Sequence, residues 1–506
     1  MNYSMYLLLV AATVGRTDSV GAAPPDVDLD DVLEPVWQRF RQVIEDFRSK
    51  PAHPQAAFEL EQELSLAARE LCRASVEWAY NQVEPNPVDL PPQVEFEAGP
   101  YTRLSRKTPQ AVATTFGKIR WWRAGYRPTN KTGDATLFPL AQQVGIVAGA
   151  SPALAERAAS YQAEAGATQR RTLERLRQAH GVAWGVKKLR QVVGRVAEAM
   201  AVERHQAQVE KLLELLEKAW ASKGKHKPVL SAGRDGISFA VPVRGGTIFE
   251  VASAGTVTVL DRRGQRLGTV YLAYTPESKQ GTMSRQLTRL LEEVLRRWQR
   301  PLPRLCYVSD AGDNETEYFE KVLRRMCHPG SGERLDWIRV VDFYHASERV
   351  WTMAEALFGA GPVAKSWAQR MLRLLTKPNG IRRVLNSAAV FRASQGLKRT
   401  ARSAFGKAYN YLCQRTKFLR YAAYERVGIP RGSGVTEAAC KTIYTQRLKL
   451  SGMRWKKAGA QTILNLRVLL LSGVWIEAYQ RVLKNIESIK VPTYALPSRK
   501  TRQIAA

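Results

Sequence analysis

VLSAGRDGISFAVPV, residues 229–243, opens the part of the chain whose reading decides the architecture. It is rich in β-branched and aromatic residues and is followed, after a glycine turn, by TIFEVASAGTVTVLD (247–261), the turn RRGQ and RLGTVYLAYT (266–275). Three such runs with glycine turns between them predict an antiparallel meander. Beyond Thr275 the pattern changes to alternation. SRQLTRLLEEVLRRWQR (284–300) is apolar at helical spacing, RLCYVSD (304–310) is a short buried strand, NETEYFEKVLRRM (314–326) is again helical, and LDWIRVVDF (335–343) is a last strand.

The order β-β-β-α-β-α-β is that of a ribonuclease H-like sheet, which makes the chain an α/β protein and fixes where its acids fall. Asp235 lies on the first strand and Asp310 closes the fourth, and in such a sheet those strands are neighbours. Two carboxylates brought together offer hard oxygen ligands of the kind Mg²⁺ requires, and a pair of such ions clamps the attacking and leaving oxygens of a phosphodiester. A third carboxylate would complete the set. Glu437, in RGSGVTEAACK (431–441), follows a glycine-rich turn at the start of a helical run. Taken by itself it is a first-turn acid favoured by the helix dipole, worth a fraction of a kcal/mol.

Charge narrows the partner. The 506 residues carry 77 Lys+Arg against 46 Asp+Glu, a net +31 dispersed over most of the length, which favours a polyanion, with nucleic acid the leading candidate. The five cysteines (Cys72, Cys306, Cys327, Cys413, Cys440) are scattered and never spaced as CxxC, so neither a disulfide framework nor a zinc site is expected, and a reducing, cytoplasmic and nucleoid-associated location is. The apolar run at 5–14 lacks a preceding Lys or Arg and is too short to span a bilayer, so it reads as part of an irregular extension over 1–30 and no membrane partner is expected. No phosphate-loop motif follows the RGSG turn, which leaves nucleotide hydrolysis without support.

Toward the N-terminus, residues 31–110 read as a helical module broken at Pro51 and Pro54, and TTFGKIRWWRAGYRPT (114–129) as a β-hairpin. In 167–200 two amphipathic pieces flank a turn around Gly181, a helix-turn-helix pattern with Lys187, Lys188, Arg190 and Arg195 on its second piece; a further helix is expected over 200–222. The hairpin and these helices form a DNA-binding region at 111–225. A catalytic domain is expected over 226–345 and 431–480, with a helical insertion at 346–430 between its two parts and a basic tail at 481–506.

Several stretches together resemble one family. TLFPLAQQVGI (136–146), YVSDAGDN (307–314), VVDFYHASERVW (340–351) and KFLRYAAYERVGIPRGSGVTEAACKTIYTQRLKLSGMRW (417–455) are similar to the DDE transposases of bacterial insertion sequences, of the ISKra type, over roughly residues 110–480. The resemblance implies a metal-bound triad of Asp235, Asp310 and Glu437, two Mg²⁺ ions (Mn²⁺ able to substitute), cleavage at terminal inverted repeats, and transfer of the freed 3′ end to target DNA by a homo-oligomer. The family's cysteine-paired knuckle is missing, since 122–140 contains no cysteine.

Among the remaining acids, Asp261 reads as a hairpin-turn residue and Asp313 as a helix cap. Asp342, with His345 in DFYH, is expected beside the site rather than as a ligand. Arg447, Lys449 and Arg454 are candidates for phosphate contacts and Trp455 for stacking on a base, with a core role the plainer account of the tryptophan. Two other readings stay open: a nuclease of the same fold that only cleaves, and a catalytically silent DNA-binding descendant.

Overall fold

The computed structural model describes residues 27–96, 99–129, 136–394 and 396–487. The apolar run at 5–14, residues 130–135 of the cysteine-free stretch, and the tail from 488 onward lie outside them. The chain forms two compact units, one of Met1–Leu154, Arg175–Trp184 and Ile486–Ala506, the other of Ala155–Glu174 and Gly185–Asn485.

The first unit opens with two helices, α1 (Leu29–Ser49) and α2 (Pro54–Val83). Pro51 and Pro54 part them as expected, because proline lacks the N–H that would continue the first helix and suits the first turn of the second. Five strands follow: β1 (Gln93–Phe96), β2 (Gly99–Arg103), β3 (Thr108–Thr114), β4 (Gly117–Arg123) and β5 (Tyr126–Pro128). The expected hairpin is present but lies earlier than 114–129. Its arms are β3 and β4, turning at Thr115 and Phe116, while β5 pairs with β2 in a separate sheet. Gly117 takes a φ of 123°, which only glycine adopts readily and which closes the turn. Trp121 of β4 is fully buried and meets Tyr80 of α2 edge to face, with ring centroids 5.1 Å apart.

The short α3 (Pro139–Gln143), then α4 (Pro152–Ala163), α5 (Gln169–His180) and α6 (Val186–Ala221) lead toward the sheet. Here the expectation of a compact helix-turn-helix followed by another helix needs correction. Residues 186–221 are one helix of 36 residues, because no Gly or Pro between 195 and 221 interrupts it. Its far half, from Val209 to Ala219, is a layer of the main core.

That core is built on a mixed five-stranded sheet of β6 (Val229–Val243), β7 (Gly246–Leu260), β8 (Arg266–Tyr274), β9 (Arg304–Ser309) and β10 (Trp337–Val341). The strands lie side by side as β8, β7, β6, β9, β10. The first three are antiparallel, and β9 and β10 run parallel to β6. The crossover from β8 to β9 is α7 (Gly281–Arg297), and that from β9 to β10 is α8 (Asp313–Lys321). Alternation along the strands sorts the two faces. Leu230, Ala232, Val257, Leu272, Leu305 and Tyr307 pack on α6 and α7.

The opposite face divides between two helical groups. Cys306, Val308 and Val340 meet the expected insertion, which consists of α9 (Phe343–Phe358), α10 (Pro362–Leu375), α11 (Gly380–Ser394), α12 (Arg399–Gln414) and α13 (Tyr421–Arg426). Ala252, Ala254 and Ala273 meet the segment after it: α14 (Gly434–Cys440), a π-helical turn (Lys441–Thr445) and α15 (Lys457–Leu471). The final helix is α16 (Trp475–Glu487). Among the described residues no single helix is long and apolar enough to cross a membrane.

Candidate active site

The parallel registers bring acids to one end of the sheet. Gly233 of β6 faces Val308 of β9, and Val340 of β10 faces the same Val308. Two residues on, at unchanged parity, come Asp235, Asp310 and Asp342. They stand side by side at the carboxyl ends of β9 and β10 and at the corresponding level of β6, which continues past them.

The fourth acid arrives from above. Thr436 of α14 hydrogen-bonds Thr256 of β7 at 2.8 Å between the hydroxyl oxygens. A Cβ built on Gly233 would come within 2.2 Å of the Thr436 hydroxyl, so glycine is what lets α14 settle onto β6. Glu437, the next residue, is thereby carried over the row of aspartates.

Electrostatics agrees with this placement. Burial first, and then the charges of Asp310 and Glu437, push the Asp235 carboxyl above its ordinary range. Two groups oppose that rise: the Cys440 thiol, one helical turn after Glu437, which hydrogen-bonds the carboxylate, and the Gly236 amide, which donates to Oδ1 at 2.7 Å. Asp310 accepts from the Gly312 amide at 2.9 Å, and its carbonyl accepts from the Tyr411 hydroxyl of α12 at 2.6 Å, which ties the insertion to the site.

A further acid was missed from the sequence. Glu315 in α8 is only 6% exposed, and its carboxyl is pushed up by burial and then by the charge of Asp310. A Cβ on Gly312 would meet Glu315 Oε2 at 2.5 Å and Asp310 Oδ1 at 3.4 Å, so this glycine leaves room for the two acids. The spacing Asp310-Ala-Gly-Asp-Asn-Glu315 held the signal, but Asp313 drew attention because it opens the helix.

Asp342 has a different role from the other members of the row. It is fully buried and caps α9: Oδ1 accepts from the amides of Tyr344 and His345 at 2.6 and 3.0 Å. Oδ2 accepts from the Ser433 amide and, at 2.7 Å, from the Ser433 hydroxyl. Four donors use the acceptor capacity of one carboxylate. The Ser433 hydroxyl also lies 3.2 Å from Glu437 Oε1, but its single proton serves one acid at a time, and Asp342 is the nearer.

His345 stands between Glu348 (Nδ1 to Oε2, 3.3 Å) and Glu437 (Nε2 to Oε1, 3.5 Å). Among the described residues, Asp342, His345 and Glu437 form the group whose possible ligand atoms all lie within 4.8 Å of one another. The expected set of Asp235, Asp310 and Glu437 is less tight than that. Glu437 thus belongs to both groups, and Asp342 is the member already saturated by protein donors.

A stability prediction follows for Asp342. Its replacement by alanine removes a helix cap and leaves the buried Ser433 amide and hydroxyl without an acceptor, at a combined cost of about 2–4 kcal/mol. The expected result is a lower urea midpoint for the intact chain; an unchanged midpoint would free Asp342 for a chemical role.

The expected DNA contacts sort into two kinds. Lys187, Arg190 and Arg195 are exposed near the start of α6 and Lys188 is half-buried among them; Arg190 donates to Gln169 Oε1 at 3.1 Å. Lys449 and Arg454 are also exposed, and Lys449 donates to the Ser238 carbonyl at 3.0 Å.

Arg447 corrects the expectation of a surface phosphate clamp. It is 1% exposed, donates to the Gln162 carbonyl and Oε1 at 2.8 and 3.1 Å, and lies 5.2 Å from the ring centre of Trp455. Burial, with the nearby charge of Arg467, lowers its pKa to about 10. Trp455 is half-buried against the Phe239 and Ile443 cluster, so the plainer account of it is the one its surroundings favour. Set against known proteins, the sequence matches no family model and no curated protein.

Proposed function

We propose that the chain is a DDE-type DNA transposase with a ribonuclease H-like catalytic domain, which binds the inverted repeats of its own element and cuts and joins DNA at their ends. The observation that carries this reading is the parallel register of β6 on β9, which brings Asp235 of β6 level with Asp310 just past the end of β9, in a sheet ordered third, second, first, fourth, fifth, with Glu437 delivered by α14. The strand order supports the fold, and the +31 charge supports a nucleic-acid substrate.

The donor set suits Mg²⁺ or Mn²⁺. All three acids offer hard oxygen ligands, and among the described residues none of them is ion-paired with Lys or Arg, so no lysine or arginine partner neutralises them. Asp235, Asp310 and Glu437 would hold the ions, with Glu315 close to Asp310. The chemistry such ions supply when bound is Lewis-acid activation of the attacking water or 3′ hydroxyl and of the leaving oxygen.

The protein's own contribution is orientation. Gly236 and Gly312 amides fix Asp235 and Asp310, and the Asp342–Ser433 bonds pin the turn from which α14 starts. No side chain needs to form a covalent intermediate. The test is incubation of the intact protein with a duplex carrying the inverted repeats that flank its coding sequence. Expected are nicks with 3′ hydroxyl ends and strand joining, both lost on chelation. Nicking without joining would favour the nuclease reading; binding without nicking would favour the silent descendant.

A further inference from the structure

The helical insertion carries a basic cleft remote from the acids. A cavity of about 500 Å³ lies between the α10–α11 junction, the turn at Thr416–Phe418 and α13. Five exposed cations line it: Lys377, Arg382, Lys417, Arg420 and Arg426. No Asp or Glu lines it, and among the described residues none of the five forms an ion pair. Arg296, Arg300 and Lys321, by contrast, are each paired with a glutamate at 2.5–2.8 Å. Five unneutralised like charges around one concavity repel one another and destabilise the empty arrangement, a disposition that an anion relieves. The start of the 15-residue helix α11 opens into the same space, adding the positive end of its dipole.

The cleft continues beyond this cavity. A second one of about 740 Å³ shares Lys417, Arg420 and Arg426 and reaches Arg304 and Trp337, where β9 and β10 begin; Glu320 and Asp336 also line it, and Glu320 is paired with Arg324. Arg304 precedes Asp310 by six residues, about 20 Å at about 3.3 Å per residue, and Arg339, which also lines the second cavity, precedes Asp342 by three, about 10 Å. The five cations of the first cavity lie on the insertion and on none of the strands that lead to the acids.

We infer that this cleft on the insertion is a second DNA-binding surface, which takes successive phosphates of a duplex backbone at a distance from the catalytic acids. Dispersed, unpaired cations around a first cavity with no aromatic lining residue fit the evenly spaced charges of a backbone rather than the faces of unpaired bases. The inference rests on the reading above only for the identity of the polyanion as DNA.

The experiment is binding of a fluorescent duplex of arbitrary sequence to the full-length protein in Mg²⁺-free buffer, titrated with salt. Three proteins are compared: the wild type, the triple variant Arg382→Ala/Lys417→Ala/Arg420→Ala, and the charge-preserving Arg382→Lys/Lys417→Arg/Arg420→Lys. Loss of three phosphate contacts lowers the slope of log K against log salt by about 2 to 3, and the charge-preserving variant restores it. A wild-type slope in the alanine variant overturns the inference while leaving cleavage at the acids untouched. A slope lost equally in both variants, or an RNA hairpin displacing the duplex at lower concentration than unlabelled duplex, also overturns it. Failure of the wild type to bind any DNA would sink this inference and the transposase reading together, whereas a wild-type slope in the alanine variant sinks this inference alone.

Discussion

Asp310→Asn is expected to abolish Mg²⁺-dependent nicking, a loss of at least about 10³-fold, while DNA affinity and its salt dependence stay at wild-type values. Asparagine keeps an oxygen in the place where Asp310 accepts from the Gly312 amide, so the turn into α8 has no reason to change. The change removes the negative charge and little else. Because Asp310 is one of the charges that raise the Asp235 carboxyl and the buried Glu315, the variant should melt at the same temperature or slightly higher in metal-free buffer. The basic surfaces at the start of α6 and on the insertion are untouched, so binding serves as the internal control. Wild-type nicking by a folded Asp310→Asn protein would remove this residue from the site and with it the meaning attached to the shared register.

The sheet was legible because its signals are local. Three runs of β-branched residues between glycine turns, then strands and amphipathic helices in alternation, leave few topologies, and parity along each strand places Asp235 and Asp310 on one face. Longer-range choices were not legible. The continuity of α6 through residue 200 is decided by the sheet it packs against, which absorbs its far half into the core, so a helix-turn-helix reading based on its first turns misjudged its length.

Arg447 is a similar case. Basic residues after a catalytic-looking helix suggest phosphate contacts, yet its partner is Gln162, far earlier in the chain, and no periodicity reveals a buried arginine bonded to a backbone carbonyl. Glu315 was hidden for the opposite reason. An acid in the first turn of a helix is so ordinary that only the close approach of Gly312 to both carboxylates marks it out.

Glu437→Gln tests the junction between the two acid groups. If Glu437 did no more than favour the start of α14, the neutral amide would cost a few tenths of a kcal/mol and both cleavage and joining would survive. If it holds a cation with Asp235 and Asp310, the loss of one full negative charge should reduce both reactions at least about 10³-fold with the fold intact.

The structure favours the second outcome on two grounds. Glu437 is exposed, with the Ser433 hydroxyl 3.2 Å away and its proton given to Asp342, and His345 Nε2 at 3.5 Å, so its oxygens remain available, whereas Asp342 beside it is saturated. Its charge is also felt at Asp235, across the gap between α14 and β6.

His345→Ala then tells the two groups apart. A histidine that only steadies Glu437 through Nε2 should cost far less activity than Glu437→Gln and leave the Mg²⁺ concentration needed for half-maximal nicking nearly unchanged. A histidine that is itself a ligand should raise that concentration as strongly as loss of the glutamate does. Retained strand transfer by a well-folded Glu437→Gln protein would remove Glu437 from both groups, whereas an inactive Glu437→Gln protein together with a stable His345→Ala protein of equally raised Mg²⁺ requirement would favour the group of Asp342, His345 and Glu437 over Asp235 and Asp310.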